Sequence, residues 1–275
     1  MRNRFSLSLL IGMSITFIFV AAACITLFYV PYDTTILDIA NRFQSPSVNH
    51  WFGTDHLGRD VFSMVAVGAQ TSIVVAILAV SIGMGIGVPL GLVAAANGGM
   101  VEEFVMRGND IVFAFPSILM AILIAAIMGP GAINIILAVG IFNIPVFAQL
   151  TRGSARVLWQ REFVMSARII NKGALRISVE HILPNIVNLL VVQATIQFSL
   201  AIAAEAALSY IGLGSQPPVP SWGRMLSEAQ TMFGWASWLS LFPGFAILFS
   251  VLGLTLIGDG LREILDPRSI TRKAH

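Results

Sequence analysis

The chain has 275 residues, of which 56% are hydrophobic and only 11% charged, with a formal net charge of +2 and a mean hydropathy of +0.84. Soluble globular domains carry about 25% charged residues, so this composition excludes a water-soluble fold and implies an all-α polytopic membrane protein. The small net charge gives no case for nucleic acid, and a single cysteine, Cys24, excludes an internal disulfide framework.

Met1-Arg2-Asn3-Arg4 precedes an uncharged run from Leu7 to Val30. Basic residues ahead of an apolar stretch, with Ala21-Ala22-Ala23-Cys24 inside it, also fit a cleaved leader. The run continues past Cys24, however, and at about 24 residues it spans roughly 30 Å of hydrocarbon as a retained first helix. An outer loop then completes the segment 1–60. It ends on Gly53-Thr54-Asp55-His56-Leu57-Gly58-Arg59-Asp60, just before the second span. The charges there either pair with one another and fix the loop, or meet a second protein. His56 has no other His or Cys nearby, which argues against a metal site.

No charge falls between Asp60 and Glu102. Gly68, Gln70, Thr71 and Ser72 suggest an interfacial lead-in, which sets the second span near 71–96, closed by Asn97-Gly98-Gly99. Gly83, Gly87 and Gly91 recur every fourth residue, the pattern of close helix packing in membranes. Ile111 to Leu150 is again uncharged, and Gly129-Pro130-Gly131 divides it into a hairpin of two spans. A fifth span is predicted near 185–207 and a sixth near 241–258, with 229–240 interfacial or re-entrant. The core of membrane helices thus covers about 71–258, followed by a tail, 259–275. Pro89, Pro116 and Pro145 predict kinks in their helices.

With the N-terminus inside, thirteen of the 16 basic residues fall on inner segments, and Arg42, Arg59 and Arg224 fall outside. Basic loops stay cytoplasmic, so both termini are predicted to be cytoplasmic. The inner loop, 151–184, is polar and must lie in water beside the bilayer. Glu162 to Ile170 reads as one short helix and Ala174 to Leu183 as another. Asn171-Lys172-Gly173 breaks them, because Asn and Gly tolerate the left-handed conformation that ends a helix. Ser166 and Ala167 are small enough to admit another protein's surface. A solvated linker drawn to anionic headgroups is the competing reading.

The inner loop resembles the coupling loop of ABC importer permeases, in which a Glu-Ala-Ala triplet precedes a Gly and then Ile-x-Leu-Pro. Anchored on Leu183-Pro184, Met165-Ser166-Ala167 falls on the triplet and Asn171 on the Gly. The chain thus departs from the pattern at the acid, at one alanine and at the glycine; Glu162 lies one turn from Met165. Gly53 to Asp60 is similar to the outer signature of the dipeptide/oligopeptide/nickel permease family. In the same order come Ala207 to Gly214, Pro217 to Gly223, Phe242-Pro243-Gly244, Gly258 to Arg262 and Asp266-Pro267-Arg268. The chain looks most like the C-type subunit.

That resemblance implies the type I architecture of about six spans in a bacterial inner membrane, carrying di- or oligopeptides handed over by a solute-binding protein. It implies as partners a B-type permease subunit in a heterodimer, ABC ATPase subunits, a periplasmic or lipid-anchored binding protein, and membrane lipid. ATP and Mg belong to the ATPases; this chain has no GxxxxGK[ST] loop and is expected to bind no cofactor or metal and to catalyse nothing. Coupling would rest on Glu162, Met165, Ser166, Ala167, Arg168, Asn171, Gly173, Leu183 and Pro184. The outer signature would comprise Gly53, Thr54, Asp55, Leu57, Gly58, Arg59 and Asp60. Glu205, the sole acid inside a predicted span, either lines the pathway or contacts Arg224 or another loop. Alternatives are nickel or another small solute on the same machinery, or a secondary carrier, for which Glu205 is the one candidate ion-binding residue. An intramembrane enzyme lacks a pair of acids or a Ser/His arrangement in the spans.

Overall fold

Residues 7–265 are described in a computed structural model. Arg2, Arg4, Asp266-Pro267-Arg268, Arg272 and Lys273 lie outside them. Ten α-helices make up the described chain: α1 (Leu7–Ile25), α2 (Val61–Asn97), α3 (Gly99–Ala114), α4 (Ser117–Met128), α5 (Ala132–Trp159), α6 (Glu162–Ile169), α7 (Ala174–Ile177), α8 (Leu183–Tyr210), α9 (Trp222–Ala229) and α10 (Trp238–Leu265). Five helical runs are long and apolar enough to cross a membrane, or six if α3 and α4 count as one broken span.

Two boundaries differ from the sequence reading. The lead-in to the second span is itself helical, because α2 starts at Val61, where the Asp60 side chain caps it by accepting from the Ser63 amide. At 37 residues α2 is about 55 Å long, well beyond the roughly 30 Å of a hydrocarbon core. The third span is not one helix: α3 and α4 meet at 80°. Pro116 has no amide hydrogen and forces the preceding residue out of helical geometry, and Phe115 is indeed extended (φ −100°, ψ 122°). Pro89 and Pro145, by contrast, sit inside continuous helices.

Contacts at the helix ends define two faces. At one, Glu102 of α3 pairs with Arg152 and Arg156 of α5, beside the polar inner loop. At the other, the Gly131 amide bonds to Leu213 O beyond α8, and the outer loop packs against α9 and α10. Of the described basic residues, Arg107, Arg152, Arg156, Arg161, Arg168, Lys172, Arg176 and Arg262 gather at the first face, which makes it cytoplasmic.

Close backbone approach holds the bundle together. A Cβ on Gly83 would lie 2.3 Å from Asn143 Cβ, on Gly87 2.4 Å from Ile144 O, and on Gly91 2.5 Å from Ala148 O. The glycine stripe is therefore the α2–α5 seam, as expected of small residues in membrane helices. A second seam joins α1 to α10: Gly12 meets Gly253 O, and Gly260 meets Leu9. A cavity of about 420 Å³ remains between α1, α2, α8 and α10, lined by residues such as Phe19, Ile77, Val191 and Leu254.

Candidate functional site

The inner loop folds as two short helices. After α6 the Lys172 amide bonds to Ala167 O and the Asn171 amide to Arg168 O, with Asn171 left-handed at φ 58°. This is a Schellman cap with asparagine in the position glycine usually takes. Gly173 is not left-handed (φ −66°); it serves as the N-cap of α7. The second helix continues into the membrane: Ala174–Tyr210 is one 37-residue rod, interrupted only by a π turn at Ser178–Ile182. Pro184 lacks the amide that would bond back to Glu180, and the Leu183 amide reaches Ser178 O instead.

Burial sorts the coupling candidates. Val164 and Ala167 face this chain's own bundle, Ala167 being only 5% exposed. Ala167 is therefore not a docking residue, and a bulky charge there would unseat α6 from its own bundle. Met165 is exposed, and so is Ser166, whose hydroxyl donates to Glu162 O. Arg168 lies 4.8 Å over the Trp159 ring, and Glu162 and Pro184 are exposed while Leu183 is half-buried. Ile169 (84% exposed) and Leu175 (78%) stand out in an uncovered apolar face with Phe163, Met165, Ile170 and Val179. Lys172 Nζ, 2.7 Å from Glu180 Oε2, ties the loop to the rod, and Arg176 Nε, 2.6 Å from Glu180 Oε1, forms a pair one turn apart within the rod. Of these apolar positions, Met165 was a sequence candidate, whereas Phe163, Ile169, Leu175 and Val179 and the Glu180 network were not.

The outer signature pairs within itself. Asp55 Oδ1 accepts from the Leu57 and Arg59 amides, and Oδ2 from Arg59 Nε at 2.7 Å. Thr54, fully buried, donates to Asn41 O and accepts from the Gln44 amide. A Cβ on Gly58 (φ +79°) would fall 1.7 Å from Asp38 O, and one on Gly53 2.5 Å from Gln44 O. Asp60 Oδ2 accepts from the Ser63 amide and hydroxyl, each at 2.8 Å, while Oδ1 lies 2.9 Å from His50 Nδ1. Arg59 also reaches Glu228 Oε2 of α9 at 3.4 Å. Asp55, His56 and Glu228 bring ligand-type atoms within 4.8 Å of one another. The Arg59 guanidinium already bridges the two carboxylates, so the cluster is an ion-pair network.

Glu205 does not contact Arg224, which pairs with Glu228. It is 0% exposed, and Oε2 accepts from Ser72 of α2 at 2.8 Å and Oε1 from Ser209 at 2.7 Å. Ser221 provides a third hydroxyl within hydrogen-bonding reach. Around it, Trp222 Nε1 donates to Val65 O at 2.8 Å, and a Cβ on Gly223 would lie 2.0 Å from Ala206 O. Glu205 thus sits in a closed junction of α2, α8 and α9, with no opening onto a channel in this chain. Its serine partners carry no sequence signal that links them across such separations.

A family profile described as "Binding-protein-dependent transport system inner membrane component" matches residues 87–271. The dipeptide transport system permease protein DppC of Alkalihalophilus pseudofirmus is 45% identical over 229 residues, 83% of this chain and 75% of that one. The glutathione transport system permease protein GsiD of Escherichia coli is 45% identical over 239 residues, covering 86% and 79% of the two chains. In fold, the chain resembles the MetNI methionine ABC transporter in inward facing conformations, with a TM-score of 0.60 and 16% identity over 74% of this chain and 97% of that one. An all-helical bundle with five to six crossings, an inner helical loop and matches of this extent make the chain a multi-pass permease subunit of an ABC importer, a member of the binding-protein-dependent transport system inner membrane component family.

Proposed function

We propose that the chain, in the bacterial inner membrane, forms one half of a path for di- or oligopeptides, paired with a related B-type permease subunit. Separate ATPases bind ATP and Mg and dock on the inner loop, while a solute-binding protein delivers substrate at the outer face. This chain has no catalytic part. Peptides are the favoured substrate because two relatives at 45% identity are named as dipeptide and glutathione transport system permeases. Nickel or another small solute is the second reading.

One observation carries the proposal: the uncovered apolar face of Ile169, Leu175 and Val179 on helices outside the bilayer. Large apolar side chains left exposed on a polar inner loop mark a surface that a partner covers, and the π-interrupted rod that carries Leu175 and Val179 leads into the membrane. Leu175→Asp with Ile169→Asp is expected to leave insertion and pairing with the second permease intact. Co-purified ATPase should fall at least about ten-fold, since central anchors each contribute about 2 kcal/mol or more. ATPase retained at wild-type stoichiometry would refute the docking surface. For the substrate, the purified binding protein is titrated with a dipeptide, glutathione and Ni²⁺. Binding of a peptide is expected; a response to Ni²⁺ alone would overturn the peptide assignment. Solute accumulation by this chain with the ATPases inactivated would indicate a secondary carrier.

A further inference from the structure

The rod Ala174–Tyr210 has the inner loop at one end and the Glu205 junction at the other. Only the π turn at Ser178–Ile182 lies between the coupling helix and the span, and the helix runs on through it. At the outer end Glu205 binds Ser72 of α2, and Ser221, which caps α9, is within its reach. Backbone-close packing of Gly223 on Ala206 and the Trp222 bond to Val65 O fasten the start of α9 to both helices. From α9, Glu228 reaches Arg59, whose side chain and amide both hold Asp55 of the outer loop. Hydrogen bonds, close backbone packing and an ion pair together therefore join the rod to the Gly53–Asp60 loop. Removal of the Glu205 carboxylate would leave the buried hydroxyls of Ser72 and Ser209 without their acceptor, so the acid and its serines hold one another in place.

We propose that Glu205 is a positioning residue that fuses the outer ends of α2, α8 and α9 into one body, so that the inner loop and the outer loop move together. The proposal rests on the reading of the chain as an ATP-driven importer subunit with a binding protein at its outer face. Coupling of this kind is reciprocal: docking at the outer loop biases the same states as nucleotide binding at the inner one.

The test uses the complete complex in lipid vesicles, with ATP hydrolysis measured before and after addition of the binding protein loaded with a dipeptide mixture. Wild type is expected to respond with faster hydrolysis. In Glu205→Ala, basal hydrolysis by the partner ATPases persists, and the stimulation falls about ten-fold. Glu205→Gln, which still offers a carbonyl acceptor and the same shape, restores the response to within about two-fold, a rescue that bulk stability alone does not predict. Glu228→Ala, at the partly exposed next link, should reduce stimulation in the same direction, and it decides the matter if Glu205→Ala fails to assemble. Full stimulation in assembled Glu205→Ala, or in Glu228→Ala, overturns the inference. A wild-type complex that no loaded binding protein stimulates removes the functional reading itself, and this inference with it.

Discussion

Leucine in place of Gly87 is expected to abolish recovery of folded, monodisperse protein. The Cβ alone would stand 2.4 Å from Ile144 O and 2.9 Å from Phe147 Cβ, and neither a backbone carbonyl nor a fully buried phenylalanine can give way cheaply. Overpacking a tight core generally costs about 1–3 kcal/mol. Here the seam carries three such contacts in succession, so opening it at Gly87 also strips the packing at Gly83 and Gly91. The expected cost is therefore at the upper end of that range or beyond. Gly85 supplies the control: nothing lies within 4 Å of its Cβ position, and Gly85→Leu should purify at wild-type yield. The comparison is made by size-exclusion profile and thermal inactivation in detergent. Equal behaviour of the two variants would contradict the seam.

The second large effect is expected from Asp60→Ala. Its carboxylate accepts from the Ser63 amide and hydroxyl and meets His50, and the Ser63 hydroxyl in turn accepts from the Tyr32 amide. Loss of an N-cap costs about 1 kcal/mol, and each buried group left without a partner adds about 1–3 kcal/mol. A total near 3 kcal/mol should loosen the whole segment from Tyr32 to Ser63. Hydrogen exchange reads this directly: amides of Thr54, Asp55 and Val61, bonded within the loop, should lose protection while those of α5 keep it. Asp60→Asn, which caps comparably well, should recover most of the protection. Unchanged exchange in the alanine variant would show that the loop is held by something else.

Hydropathy and the glycine stripe made the spans and the close-packing face of α2 legible in the sequence, because both are properties of one helix at a time; that α5 is the partner was not. Asn171 was readable for the same reason, since a left-handed cap depends on residues within one turn. The bend at Phe115–Pro116 was not: Pro116 signals a distortion, but an uninterrupted apolar run gives no measure of an 80° angle. The start of α2 was misplaced although Asp60 followed by an apolar stretch is a capping signal, because small polar residues at 68–72 suggested an interface. They turned out to be buried contacts, with Gly68 under Trp222 and Ser72 on Glu205. Ala167 was set on the wrong face because small size suits a foreign surface and a packed interior alike. Ser209 lies one helical turn from Glu205, but the Ser72–Glu205 and Arg59–Glu228 contacts join residues remote in sequence, and only folding brings them together. The short α9, read as part of a loop, is nucleated by the Ser221 cap and held by a fully buried Trp222.

Close-packed interiors transmit strain because no side chain moves without displacing its neighbours. The crevice of about 420 Å³ beside α8 is an exception partway along the rod. It opens on the surface of the bundle, for Val20, Ile77 and Val191 on its wall are exposed. Its apolar lining is completed by lipid tails and not by fixed side chains of this chain. The middle of α8 thus meets fluid neighbours, while its outer end is tied to α2 and α9 by bonds that do not exchange.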